Sequence, residues 1–245
     1  MRGKAGEIIR MPESVTNERY AHEWNVDPNE AADIQRELRS HVITESRLGT
    51  VNLVAGVDVG FPSRDTARAA VVILRFPQLV PVEYAVAEEA VQFPYIPGLL
   101  AFREVPVVLS AVKKLQRMPD LFIFDAHGLA HPRRLGLASH AGLLLDTPSI
   151  GCAKSRLVGE AVEPGLDRAD RVPLMHEGEQ LGVVLRTRAA VKPVYVSIGH
   201  KVDLETAIQY VLDCAPRYRL PETTRYADRV AGGQELDLDM APYGS

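Results

Sequence analysis

Cysteine is scarce in this 245-residue chain: Cys152 and Cys214 are the only two. Two thiols exclude a disulfide scaffold and a four-cysteine zinc site, and they fit a reducing compartment. Long apolar runs are missing as well. Runs such as 106–109 and 142–145 fall far short of a membrane span, and no basic-then-apolar signal segment opens the chain. A cytoplasmic location with no membrane partner is therefore expected. Positive charge is not in excess either: the net charge is -4 and the pI about 6.0, so any nucleic-acid surface must be a local patch. No internal repeat is visible. What is present, 46% hydrophobic and 24% charged residues, is ordinary for a globular protein with a sizeable core.

Along the chain, residues 1–26 read as a polar N-terminal extension whose aromatic content is Tyr20 and Trp24. Asp27-Pro28 starts a helix, and the apolar spacing of Ile34, Leu38, Val42 and Ile43 carries it to about residue 46. Strands follow at 53–59, 70–76 and 84–91, with connections short enough for an antiparallel meander. Residues 98–115 have helical spacing broken at Val105-Pro106, which puts Glu104 at a helix junction. The second half changes rhythm. A wholly apolar strand at 121–124, a helix at 134–145 and a strand at 149–153 suggest a parallel crossover. A hairpin at 172–175 and 181–186, a strand at 194–198, and helices from Asp203 to about 212 and from Pro221 to about 230 complete the set. The expected organisation is one domain over residues 27–231 and a disordered tail over 232–245.

Three acidic residues occupy positions suited to metal ligands: Asp58 in VAGVDVGF, Glu104 in PYIPGLLAFREVP and Asp125 in LFIFDAHGLAHP. A carboxylate at the tip of a buried strand is costly without a cation or a hydrogen-bonding partner. Each one alone also fits an exposed strand end or a helix cap. Between Pro94 and Pro97 the backbone is stiff, which presents Tyr95 and Ile96 as a wedge for a base stack, or as a proline-bracketed core turn. His127 and His131 have metal-like spacing, yet no third soft ligand accompanies them and Pro132 interrupts a shared helix face. Cys152 lies within a strand and reads as a buried apolar residue. Arg133, Arg134, Lys154, Arg156, Lys201, Arg217, Arg219 and Arg225 give the second half a basic surface suited to phosphates.

Three antiparallel strands, a helix, then parallel strands alternating with helices is the plan of a ribonuclease-H-like fold, an α/β mixed sheet flanked by helices. The segments VAGVDVGF, FPYIPGLLAFRE, FDAHGLAHPRRLGLASHAG, CAKSRLVG, VSIGH and YRLPETTRYAD occur in one chain, in order, over about residues 27–228. Together they resemble endonuclease V, nucleases acting on deaminated adenine. The resemblance implies Asp58, Glu104 and Asp125 as ligands of Mg2+, with Mn2+ as a substitute; hard oxygen donors suit that ion. It also implies catalytic roles for Lys154, holding the scissile phosphate or the attacking water, and for His200, binding or orienting the metal-water cluster. Pro94, Tyr95, Ile96 and Pro97 become the wedge. Gly128, His131 and Gly136 become the pocket, with main-chain amides at Gly128 reading a flipped hypoxanthine. The implied substrate is DNA containing deoxyinosine or another deaminated base, cut at the second phosphodiester bond 3' to the lesion to leave 3'-hydroxyl and 5'-phosphate ends in DNA repair. An inosine-specific ribonuclease and a non-cutting hypoxanthine-binding module are the alternatives. A monomer is expected.

Overall fold

The computed structural model describes residues 15–239. Its elements in order are α1 (Pro28–Leu38), β1 (Leu53–Ser63), β2 (Thr66–Arg75), β3 (Val80–Ala90), α2 (Leu100–Val112), β4 (Leu121–Phe124), α3 (Leu137–Leu145), β5 (Ser149–Ala153), β6 (Arg171–His176), β7 (Glu179–Leu185), β8 (Val194–His200), α4 (Leu204–Cys214) and α5 (Glu222–Ala231). All eight strands form one sheet in the order β3-β2-β1-β4-β5-β8-β7-β6. The first three make the antiparallel meander read from the short connections. Next, β1, β4 and β5 run parallel, and β8 turns back antiparallel to β5. The sheet is mixed and flanked by helices, as the sequence pattern implied.

Period-2 alternation explains how both faces are covered. Ala55, Val57, Phe122 and Phe124 point into the core beneath α2 and α3. Val54, Leu121 and Ile123 point to the opposite core, which α4 and α5 close with Ile208, Val211 and Val230. A two-residue turn at Glu177-Gly178, both with positive φ, joins β6 to β7, the backbone that matches the twist of paired strands. Among the described residues no helix is long and apolar enough to cross a membrane.

Four local expectations are corrected. Helix α1 begins as read, with the Asp27 carboxylate accepting from the Asn29 and Glu30 amides, but it ends at Leu38 in a 3-10 turn over Arg39–His41. The β-branched Val42 takes extended backbone instead, and Ile43 and Thr44 follow outside any helix. Lys201 donates its N–H to the Ile43 carbonyl at 2.7 Å, so this segment fastens to the end of β8. Helix α2 runs through Pro106 without a break. One missing backbone donor is outweighed by burying Val105, Val107, Val108 and Val112, so Glu104 sits in the first turns of a continuous helix. Helix α3 starts at Leu137 because Arg134 has φ 59°, outside the helical region.

The fourth correction concerns the tail. Residues 232–239 lie back along the meander: Asp239 donates its N–H to the Pro81 carbonyl at 2.8 Å and pairs with Arg75 at 2.8 Å, and Leu236 packs on the core. Residues 240–245 of the expected tail lie outside the described residues, as do residues 1–14 of the expected extension. From Val15 onward that extension is packed. Asn17 donates its N–H to the Leu144 carbonyl at 2.6 Å, and Tyr20 and Trp24 rest on the α2–α3 side of the core.

Candidate active site

Strand register brings the first two carboxylates together. Val57 pairs with Phe124 across the parallel β1–β4 ladder, so the next residue on each strand, Asp58 and Asp125, emerges at the same sheet edge. From α2, Glu104 reaches the same cleft, a cavity of about 130 Å³ lined by the three acids with Val57, Val59, Leu100, Phe124, Ala126 and Leu137. Burial pushes the Glu104 carboxyl up to about 8, reinforced by Asp58 and Asp125 and opposed by Arg103. Burial likewise raises Asp58 to about 6, with Asp125 and Asp228 adding to the shift and Lys154 resisting it. Asp125 is raised by burial and held back by Lys154, whose ammonium contacts its Oδ2.

The parallel alignment of β4 and β5 delivers Lys154. Phe124 pairs with Gly151, which leaves Lys154 just past the end of β5 beside Asp125. Arg219 fixes this position from behind, donating Nη2 to the Lys154 carbonyl at 2.6 Å and to the Pro193 carbonyl at 2.9 Å. A residue overlooked in the sequence joins the group. An added Cβ on Gly56 would meet the Thr223 carbonyl oxygen at 1.9 Å, so α5 lies directly against β1. Exposed Asp228 on that helix therefore faces the cleft, where its charge helps raise Asp58 and Asp125. The signal was available in RYAD, an acidic residue within a motif, but its place depends on how α5 packs.

This donor set, hard oxygens that repel one another with one ammonium among them, suits a divalent cation. Among the described residues no three His, Cys, Asp or Glu side chains stand in ligating geometry around one point. Lys154 also takes one Asp125 oxygen, so ion binding requires side chains at this cleft to turn.

Beside the cleft is a larger cavity of about 270 Å³, and both cavities are lined by Leu100, Asp125, Ala126 and Leu137. Tyr95, Ile96 and Pro97 stand at its mouth, with Tyr95 70% exposed and Pro94 exposed before it. The ring points outward, so it is not packed into a core turn. His131 and Gly136 line the cavity, as do Lys154, Ser155, Arg156 and Leu157. Gly136 caps α3 against the His127 carbonyl oxygen, which an added Cβ would meet at 2.3 Å.

Two expected site residues are not brought here. Gly128 is buried, its N–H donates to Ser197 Oγ at 2.9 Å, and an added Cβ would meet the Ile198 carbonyl oxygen at 1.9 Å. Its amide is consumed by β8, so the glycine serves close packing rather than base reading. His200 stands at the wrong end of the sheet. Because β8 is antiparallel to β5, His200 pairs with Ser149 while Ala153, next to Lys154, pairs with Tyr195. His200 is buried there, accepting the Ile43 N–H at Nδ1 (3.2 Å) with Nε2 3.8 Å from Asp146 Oδ1. Burial lowers its pKa to about 4, which keeps it neutral as a structural residue.

The endonuclease V family model matches residues 36–229. An endonuclease V from Roseiflexus castenholzii is 56% identical over 211 residues, covering 86% of this chain and 94% of that protein. The chain belongs to the endonuclease V family. Solved members share the fold: the Streptomyces avermitilis endonuclease V superposes with a TM-score of 0.82 at 44% identity, over 85% of this chain and 93% of that one. Ciona intestinalis endonuclease V was solved with a 24mer DNA containing an inosine followed by a ribo-adenosine. It matches with a TM-score of 0.71 at 30% identity, over 83% of this chain and 95% of that one.

Proposed function

We propose that the protein is a Mg2+-dependent endonuclease that recognises deoxyinosine in DNA and hydrolyses the second phosphodiester bond on the 3' side. The observation carrying this reading is the shared wall, Leu100, Asp125, Ala126 and Leu137, between a cavity large enough for a base and a cleft of three carboxylates. A base turned into the cavity brings the adjoining backbone beside Asp58, Glu104 and Asp125, across that shared wall. These residues are the proposed holders of Mg2+, with Asp228 beside them. A bound divalent cation supplies charge compensation for the phosphoryl oxygens and lowers the pKa of water. The chain's own residues do the rest. Lys154 neutralises charge at the phosphate or orients the attacking water. Tyr95 fills the gap left by the extruded base, and Arg156 at the cavity rim favours the phosphate backbone.

Ribonucleic substrate is the second reading, favoured by the ribo-adenosine that follows the inosine in the DNA bound by the Ciona protein. Purified protein is incubated with matched DNA and RNA strands carrying inosine or adenine, with Mg2+ and then with chelator, and product ends are mapped. A Mg2+-dependent 3'-hydroxyl and 5'-phosphate nick one nucleotide beyond deoxyinosine is expected. Binding without cutting, or equal cutting of adenine controls, overturns the proposal.

A further inference from the structure

Three side chains from different parts of the chain donate to a single carbonyl oxygen. Gly98, with φ +80°, follows directly on Pro97 at the end of the exposed Tyr95 segment. Its oxygen accepts from Gln35 Nε2 at 3.2 Å, from His131 Nε2 at 2.9 Å and from Arg133 Nη2 at 2.6 Å. The His131 tautomer follows from its neighbours. Nδ1 accepts the Arg133 N–H at 3.1 Å, so the proton resides on Nε2 and points at Gly98.

Gln35 ties this group together. It belongs to the buried stripe of α1, Ala31, Gln35 and Leu38, where an amide is costly unless every polar atom is bonded. Here every one is. Nε2 donates to the Gly98 and Leu135 carbonyls, the latter at 3.1 Å, and Oε1 accepts Arg133 Nε at 2.5 Å. A core-filling role alone would be met by leucine. What glutamine adds is a simultaneous hold on the hinge glycine of the wedge and on the Arg133 side chain, and Gln35 itself lines the larger cavity.

We propose that Gln35 is a positioning residue for lesion recognition, a role that rests on the inosine-endonuclease reading above. With His131 and Arg133 it fixes the Gly98 carbonyl, so that the Tyr95 segment stands at a set height over the cavity before nucleic acid arrives. Pre-ordering the segment spares binding the entropy of ordering it. In this role His131 acts through the wedge rather than by touching the base.

The test compares wild type, Gln35→Met and Gln35→Glu in Mg2+ on an inosine duplex and on the same strand alone, with melting temperature as the folding control. Gln35→Met keeps the volume and removes all three bonds. It is expected to raise KM for the duplex about tenfold or more, a typical cost of misplacing a positioning element, while the single-turnover rate at saturating enzyme stays within about twofold. Single-strand cleavage suffers less. Amide hydrogen exchange at Tyr95 and Ile96, read by mass spectrometry, accelerates. Gln35→Glu keeps the Arg133 contact and loses both donors, so it shows the same direction of change and carries the test if the Met variant does not fold. A folded variant with unchanged KM and unchanged exchange overturns the proposal, as does a loss confined to the single-turnover rate. Failure of the wild type to cut the inosine duplex instead overturns the underlying functional reading.

Discussion

Replacing Glu104 by Gln should make the protein more stable and less able to respond to metal. The Glu104 carboxyl is pushed from an ordinary 4.5 to about 8, chiefly by burial and then by Asp58 and Asp125. Its folded pKa lies above the unfolded one, so the folded state holds a proton that the unfolded state releases, and stability falls as pH rises from 4.5 to 8. At pH 7.5 that linkage amounts to a deficit on the order of 3–4 kcal/mol. Glutamine is neutral throughout and removes it. In chelator at pH 7.5 the variant should therefore melt above wild type by about 6–16 °C, taking about 2–4 °C per kcal/mol for a chain of this size, and the gap should close at pH 5. Added Mg2+ should reverse the order, stabilising wild type by mass action and the variant much less. Differential scanning fluorimetry across pH 5–8, with chelator and with Mg2+, measures both effects. If the variant follows wild type at every pH and in both buffers, Glu104 is neither forced towards its protonated form nor a ligand, and the acid-cleft reasoning fails.

Asp125→Asn should lower single-turnover cleavage by at least about 10²-fold, because it removes a carboxylate that only the chemical step requires, while gel-shift affinity for the inosine duplex stays close to wild type; cleavage near the wild-type rate would remove Asp125 from the catalytic set. Tyr95→Ala should cost about 1–3 kcal/mol in duplex binding, the scale of one base–aromatic stack, and less on single strands, with equal losses on both marking the ring as merely structural. Gly128→Ala should destabilise the fold by about 2 kcal/mol or more, since its Cβ would meet the Ile198 carbonyl oxygen at 1.9 Å; a normal urea midpoint combined with lost lesion selectivity would restore the base-reading role. Acid should also weaken the fold. Burial lowers His127, His131 and His200 to about 4, so their contribution is complete above pH 6.5 and is lost as pH falls towards 4, by about 2 kcal/mol each at pH 5. Relief of Asp58 and Glu104 offsets part of this, and urea titrations at pH 7, 6 and 5 should still show a net decline, whereas a rise would contradict the burial of these rings.

Local pattern made most of the site legible. The apolar runs ending in Asp58 and Asp125 announced buried strands carrying a charge, although β1 continues past Asp58 to Ser63, and the two prolines around Tyr95-Ile96 announced a stiff segment, because both signals depend on residues adjacent in the chain. The meander and the parallel crossover followed from connection lengths for the same reason. Direction and close approach were a different matter. VSIGH reads identically in a parallel or an antiparallel strand, and only the reversal of β8 carried His200 to the far edge. A glycine such as Gly128 looks equally suited to a ligand or to a neighbouring strand until the Ile198 carbonyl is found against it. Pro106 signalled a break that the buried face of α2 overrode. Asp228 and Gln35 entered the site because α5 lies on Gly56 and because α1 docks beside the wedge. Sequence alone thus determined which residues carry charge, stiffness and apolar faces; tertiary structure decided which of them meet, since strand direction and helix docking minimise free energy over contacts far apart in the chain.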